Sequence, residues 1–93
     1  MDVRIRWKGC TRSYGVEAYL AWRLRLEVGR RGVRVAAVRA LFERAKGPRG
    51  RAAKRCAIEL DGACGRLHAE VCDTDVYVAV DRAAKAIGYA LRA

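Results

Sequence analysis

The chain opens with a segment in which apolar and polar residues alternate, the pattern of a half-buried β-strand. Val3, Ile5 and Trp7 lie on one side of this strand, and the residues that alternate with them are all cationic. A second strand is predicted over residues 33–44, which are rich in β-branched side chains. Its alternation slips at residues 36–37, which is consistent with a β-bulge.

Two further strands are predicted to form a hairpin. Residues 56–60 and 67–71 each alternate with period two, and the glycine-containing segment 61–65 between them favours a tight turn. In this register Cys56 lies on the inward, apolar side. Cys72 lies on the outward side, so the register argues against a disulfide between these two residues.

Two segments have the periodicity of amphipathic helices. In residues 16–28 apolar side chains recur three and four positions apart, and Gly29 is predicted to follow the end of this helix because glycine readily takes the left-handed conformation there. Residues 76–91 repeat the pattern behind Asp75, whose carboxylate makes it a good N-cap.

This order of elements predicts an α+β fold with the arrangement β-α-β-β-β-α. Both helices need an apolar surface, and the sheet offers one such face. We therefore expect a two-layer sandwich in which two helices cover one face of a four-stranded sheet. The 93 residues suit a single domain, residues 1–93, and no repeat or linker divides them.

Charge narrows the class of partner. The 20 Lys and Arg residues against 10 Asp and Glu leave a formal net charge of +10, which favours a polyanion such as nucleic acid or an anionic membrane surface. Residues 44–55 contain six basic residues, no acidic residue and the breakers Gly47-Pro48 and Gly50, so a mobile basic loop is predicted there. No apolar run is long enough to span a bilayer and no signal peptide is recognisable, so we expect a cytoplasmic protein without membrane attachment.

The last helix carries a candidate RNA-contacting surface. Arg82, Lys85, Tyr89 and Arg92 recur at helical spacing on the side away from the predicted core. Cations suit phosphate groups and an aromatic ring suits stacking on an unpaired base, although an ordinary solvated helix face has the same composition. Other basic residues favour RNA contact, because several independent cationic elements then surround one small domain. These residues are Arg23, Arg25, Arg30, Arg31, Lys54 and Arg55.

Catalytic and metal-binding roles have little support. The four cysteines form no C-x-x-C pair and are accompanied by one histidine, which argues against a zinc site. They are predicted to be reduced thiols, with Cys56 in the core. His68 lies mid-strand on an outward position, without a nucleophile motif or paired carboxylates. We therefore expect a binding protein without enzymatic activity, cofactor or small-molecule substrate.

The hairpin and last helix together resemble the ribosome hibernation promoting factor family, which includes the ribosome-associated inhibitor proteins. In that family a glycine-containing hairpin leads into Asp-aliphatic-Tyr-Ala-Ala-Ile-Asp, and residues 75–81 here are Asp-Val-Tyr-Val-Ala-Val-Asp. The matching motif residues are Asp75, Tyr77 and Asp81. The resemblance implies a fold related to double-stranded RNA-binding domains. It also implies a stationary-phase stress factor that regulates translation by occupying the mRNA and tRNA channel of the small ribosomal subunit, contacting rRNA mainly through basic residues of both helices.

Four features depart from the family pattern, one of which is that the first helix looks shortened. Where the family typically has Asp-Lys-Leu-Glu-Arg-Gln, residues 85–90 are Lys-Ala-Ile-Gly-Tyr-Ala, so one Lys is displaced and Tyr89 replaces an Arg. The hairpin turn has extra residues around Ala63-Cys64. The chain ends at Ala93, without the C-terminal domain with which long members pair ribosomes, so the resemblance implies a short form acting as a monomer.

Two alternative functions stay open. The altered last helix would suit a general structured-RNA-binding module of the same fold that no longer binds the ribosome. Sequences of this family have also been described as modulators of a transcription sigma factor, which would make the protein a protein-interaction module.

Overall fold

The computed structural model describes residues 1–63 and 65–92, in the element order β-α-β-β-β-α that the sequence predicts. The elements are β1 (Asp2–Lys8), α1 (Tyr14–Arg31), β2 (Val35–Lys46), β3 (Ala52–Gly62), β4 (Gly65–Asp73) and α2 (Val76–Arg92), with a short 3₁₀ turn at Pro48–Gly50. Neither helix, over the residues that the structure describes, has the length and apolarity needed to cross a membrane.

The four strands form one sheet in the order β1-β2-β3-β4. β1 pairs in parallel with β2, and the other two pairings are antiparallel. A parallel pair of consecutive strands needs a crossover connection, which α1 supplies. The register between β2 and β3 shifts between Val35 and Ala37, so the irregularity predicted at residues 36–37 is confirmed.

The core lies between the two helices and one face of the sheet. Phe42, Ile58 and Leu60 of the sheet are fully buried, as are Leu20 and Leu24 of α1. The apolar side of α2 completes this core with Ala79, Val80, Ala83, Ala84, Ile87 and Leu91. The predicted two-layer sandwich with both helices on one face is therefore confirmed.

Cys56 belongs to this core, as predicted. Its side chain is fully buried, and burial raises the pKa of the thiol to about 12. Cys56 is the register partner of Val71, whereas Cys72 is the partner of Arg55, so the two cysteines lie on opposite faces of the sheet. Cys64, one of the extra residues of the hairpin turn, lies outside the described residues.

Helix α1 is longer than predicted at both ends. It begins after Ser13, whose Oγ accepts a hydrogen bond from the Val16 N–H at 3.2 Å. The predicted end at Gly29 is wrong, since the helix continues to Arg31 and Gly32 takes the left-handed conformation with φ 60°. The Gly32 N–H then donates to the Gly29 carbonyl at 3.3 Å. Two glycines three positions apart offered the same stop signal, and only the backbone geometry distinguishes them.

The prediction of a mobile basic loop over residues 44–55 is wrong. β2 continues to Lys46 and β3 begins at Ala52, so most of the segment is a paired hairpin. Its turn is closed by the Gly47 N–H, which donates to the Arg51 carbonyl at 2.6 Å. Strand pairing satisfies the backbone whatever the charge of exposed side chains, so a basic composition alone does not distinguish a loop from a hairpin that projects into solvent.

Candidate nucleic-acid interface

The exposed side of α2 carries the predicted cationic stripe. Arg82, Lys85, Tyr89 and Arg92 are all exposed, and they lie opposite the buried apolar side of the helix. The ring of Tyr89 is accessible because the residue is 57% exposed. The Arg82 side chain is 62% exposed and its guanidinium lies 3.6 Å from the Asp73 carboxylate. The structure therefore places these four side chains on one accessible surface.

The four predicted cations of α1 divide into two pairs. Arg25 and Arg30 are exposed. Arg23 and Arg31 are different, because their side chains are only 16% and 17% exposed and are held by carboxylates of the protein. Arg25 and Arg30 are thus available to an external anion, although Arg30 also lies 3.9 Å from Glu27. Arg23 and Arg31 stabilise the packing of the helices.

Asp81, in the N-terminal half of α2, joins that helix to α1. Its carboxylate accepts hydrogen bonds from the Tyr19 hydroxyl and, at 3.0 Å, from Arg23 Nε. The hydrogen bond to Asp81 raises the pKa of Tyr19, because a tyrosinate there would oppose the carboxylate. Tyr77 packs edge-to-face on Tyr19, with ring centroids 5.3 Å apart.

Asp75 lies at the start of α2, where the sequence predicts an N-cap. Its Oδ1 accepts a hydrogen bond from the Tyr77 N–H at 2.9 Å, and its carbonyl accepts one from the Ala79 N–H at 3.0 Å. These bonds satisfy backbone donors of the first helical turn. The motif residues Asp75, Tyr77 and Asp81 thus begin α2 and attach it to α1.

A buried carboxylate, Glu27, lies between the helices further along. Glu27 is 4% exposed, and its carboxylate lies 3.4 Å from Arg31, 3.9 Å from Arg30 and 4.0 Å from Arg23. Gly88 of α2 packs against it, and a Cβ at that position would lie 2.8 Å from Glu27 Oε1. Sequence periodicity did not indicate this cluster, because its parts come from two helices and from the boundary between their buried and exposed sides.

Together these contacts define the direction of the helix pair. Tyr19 meets Tyr77 and Asp81 near both helix starts, and Glu27 meets Gly88 near both ends. α1 and α2 therefore run side by side in the same direction.

The two predicted RNA-binding cations of β3, Lys54 and Arg55, lie on opposite faces of the sheet, so they do not form one surface with the helices. Arg55 lies on the outer face of the sheet and pairs with Glu43 at 3.0 Å and Glu70 at 2.9 Å. These carboxylates raise the pKa of Arg55, the hydrogen bond to Glu43 being the largest cause. Lys54, one position earlier, lies on the opposite face.

The outer face of the sheet, away from the helices, is largely a surface of paired charges. Asp61 accepts hydrogen bonds from Arg66 at 3.0 Å and from Arg39 at 3.1 Å, and both lower the pKa of its carboxyl, with Arg66 the larger cause. His68 is exposed there, as predicted, and lies 3.6 Å from Glu70. These pairings reduce the number of outer-face cations that are free to bind an external anion.

The fold and the exposed cations define a small α+β domain with a cationic helix layer. Two solved structures share its fold in detail. One is the protein Y N-terminal domain of Thermus thermophilus, with a TM-score of 0.80 and 16% identity over 99% of this chain and 97% of that one. The other is a ribosomal subunit interface protein from Coxiella burnetii, with a TM-score of 0.78 and 15% identity over 99% of this chain and 94% of that one.

These likenesses establish the fold, and they confirm the fold expected from the resemblance to the ribosome hibernation promoting factor family. No family model matches the chain, and no curated protein matches it significantly in sequence.

Proposed function

We propose that this protein is a hibernation factor that binds the small ribosomal subunit and inhibits translation by occupying the channel used by mRNA and tRNA. The observation that carries this proposal is the exposed stripe of Arg82, Lys85, Tyr89 and Arg92, presented by a fold that is shared with a ribosomal subunit interface protein. In this role it is a cytoplasmic, monomeric binding protein whose effect is steric, without chemistry of its own.

Electrostatics supplies the affinity in this proposal. The formal net charge is +10, and binding of Lys and Arg to rRNA phosphates releases condensed counterions, which makes affinity fall steeply with salt. Arg25 and Arg30 of α1 would contribute beside the stripe of α2, since both are exposed. Arg23 and Arg31 would act mainly by holding the two helices in one rigid layer, because Asp81 and Glu27 already engage them.

Cosedimentation with purified small subunits tests the proposal. We expect the wild-type protein to travel with subunits at low salt and to be released as salt rises. The double charge reversal R82E/K85E is expected to lower the bound fraction at least tenfold, because it replaces two phosphate contacts by repulsion. The matched control R4E/R6E makes the same charge change on the outer face of β1 and is expected to retain most of the binding.

Two outcomes contradict the proposal. A wild-type protein that fails to sediment with subunits at low salt is not a ribosome-binding factor. Equal losses in the two double variants would show that net charge, rather than the surface of α2, governs binding.

A second candidate is a general binder of structured RNA, and Tyr89 favours it. This exposed ring is suited to stacking on an unpaired base, which requires no ribosomal context. Competition distinguishes the two functions. A ribosome-specific factor bound to labelled subunits resists an excess of free structured RNA, whereas a general binder is displaced by it. Binding that does not change with salt would instead favour a protein partner.

A further inference from the structure

A separate cationic cleft lies where the sheet extends past the helices. Phe42 and Cys56 are register partners on the inner face, and both are fully buried. The next partners on that face are Arg44, which is exposed, and Lys54, which is half-buried. The face that forms the apolar core beneath the helices therefore becomes cationic at its end.

Arg44 and Lys54 line a cleft of about 660 Å³ between two turns. Residues 9–11, which follow β1, form one wall, and Thr74, which precedes α2, forms another. The Cys10 thiol lies 3.8 Å from the Phe42 carbonyl of β2 and 3.6 Å from the Lys8 carbonyl, so the first turn packs against β2. The hydroxyls of Thr11 and Thr74 add neutral hydrogen-bond donors to the cleft.

The two cations of the cleft differ from their neighbour Arg55 in having no carboxylate partner. Among residues 1–63 and 65–92 neither Arg44 nor Lys54 forms an ion pair within 4.0 Å, whereas Arg55 forms two. Asp73 is the register partner of Lys54 on β4, but its carboxylate lies 3.6 Å from Arg82 instead. Directly opposed residues of antiparallel strands have Cα atoms roughly 4.5–5.5 Å apart, so the Arg44 and Lys54 side chains leave the sheet at adjacent positions and can both reach one anion. An anion in the cleft could contact both cations, and a guanidinium fits two oxygens of a phosphate group.

A second hollow continues the cationic surface toward α2. It has a volume of about 400 Å³, and Thr74 lines it as well as the first cleft. Its other lining residues include Arg49, Arg51 and Arg82, with Asp73 as the acidic member. Because Arg82 also begins the stripe of α2, cations extend from the cleft to the surface proposed above to contact rRNA.

We propose that the cleft around Arg44 and Lys54 binds a backbone phosphate of RNA. This inference rests on the proposed RNA-binding function, and it adds a contact region outside the two helices. A free phosphoanion offers the same chemistry, so the test separates it from a nucleotide chain.

Amide NMR spectra recorded with two probes, a short oligouridine and inorganic pyrophosphate, test the site. We expect oligouridine to shift the amides of Thr11, Arg44, Lys54 and Thr74. In R44Q/K54Q the affinity for oligouridine is expected to fall about tenfold or more, with a salt dependence shallower by about 0.7 for each phosphate that the variant no longer binds. The matched control R6Q/K8Q removes two charges from the outer face of β1 and is expected to lose clearly less affinity. The amide spectra also show whether each variant is folded.

Two results would overturn the assignment. Equal losses of oligouridine affinity in the cleft and control variants would mean that the cleft has no specific role. Cleft shifts with pyrophosphate but none with oligouridine would exclude an RNA phosphate as its ligand.

Small-subunit cosedimentation of the same variants separates this inference from the ribosome proposal. If the wild-type protein does not bind subunits but R44Q/K54Q still weakens oligouridine binding, the ribosomal function is wrong and the cleft stands. If the wild-type protein binds subunits and R44Q/K54Q binds subunits and oligouridine as well as the control does, the cleft assignment is wrong and the ribosomal function stands.

Discussion

Gly88 tests the packing of the two helices, because its substitution by alanine should destabilise a helix position where alanine is normally favourable. In an unobstructed helix, Gly→Ala stabilises by roughly 0.8–1 kcal/mol. Here the added Cβ would lie 2.8 Å from Oε1, and 2.9 Å from both Cδ and Oε2, of Glu27. Overpacking of this kind typically costs about 1–3 kcal/mol. Set against the helix gain, it leaves G88A less stable than wild type by up to about 2 kcal/mol.

The clash cannot be relieved cheaply by moving the Glu27 carboxylate. A carboxylate is the far end of a flexible side chain, but this one is buried and lies within 4.0 Å of three arginines. Displacing the carboxylate would weaken its contact with Arg31 at 3.4 Å. Arg31 and Arg23, whose side chains are less than a fifth exposed, would then lose this partner. Loss of a partner from a buried charged cluster is costly. For this reason Gly→Ala, which normally stabilises a helix, is expected to destabilise it at position 88.

Urea denaturation followed by circular dichroism measures the effect, and Gly29 provides the matched control. Gly29 lies in α1, and a Cβ there would meet nothing within 4 Å. We expect G29A to gain roughly 0.5–1 kcal/mol, while G88A lowers the melting temperature by about 4–8 °C for each kcal/mol of destabilisation. In an E27D background, where the carboxylate is withdrawn by one methylene, the cost of G88A should shrink. A G88A variant that gains as much stability as G29A would refute this account of the helix interface.

Three further predictions concern stability and thiol reactivity. D75A removes the oxygen that accepts the Tyr77 N–H and should cost about 1 kcal/mol in chemical denaturation, whereas D75N should cost little. The hydrogen bond from Arg12 lowers the pKa of Glu17 in the folded protein, so the stability it contributes is present above the ordinary glutamate pKa of 4.5 and is lost as the pH falls through the lowered value. E17Q should therefore flatten the acid limb of a stability–pH curve, and an unchanged limb would exclude Glu17 as its source. Iodoacetamide with mass-spectrometric mapping should modify exposed Cys72 in the native protein and Cys56 only after unfolding, because the Cys56 thiol is buried with a pKa of about 12. Rapid native labelling of Cys56 would contradict its place in the core.

The cations of this protein have different tasks despite their similar appearance in the sequence. Arg23, Arg31 and Arg55 are engaged by carboxylates of the protein itself. Arg25 and Lys85 are exposed and suited to an external polyanion. A count of basic residues therefore overstates the charge that is available to a partner, and a charge-reversal experiment has to choose its residues from the structure.

Period-two and helical alternation were sufficient for the elements and for their order. The buried side of each strand is indicated by apolar residues at every second position. The buried side of each helix is indicated by apolar residues three and four positions apart. For the same reason the alternation alone assigned Cys56 to the core and Cys72 to the opposite face. It also placed Arg82, Lys85, Tyr89 and Arg92 on the exposed side of α2. The end of α1 and the extent of the β2–β3 hairpin could not be predicted in this way, because glycine and basic residues are compatible with more than one local structure.

By itself, then, the sequence determined the α+β architecture, the apolar sides of its elements and the strong positive charge, all of which follow from short-range periodicity and composition. Only the tertiary structure decided which charges neutralise one another, since partners such as Arg23 and Asp81 are far apart in the chain and meet only when the helices pack. It also decided that Gly88 accommodates Glu27 and that Arg44 and Lys54 share a cleft. Ion pairing and clefts depend on distances of a few ångströms between elements, and no pattern within a single element encodes those distances.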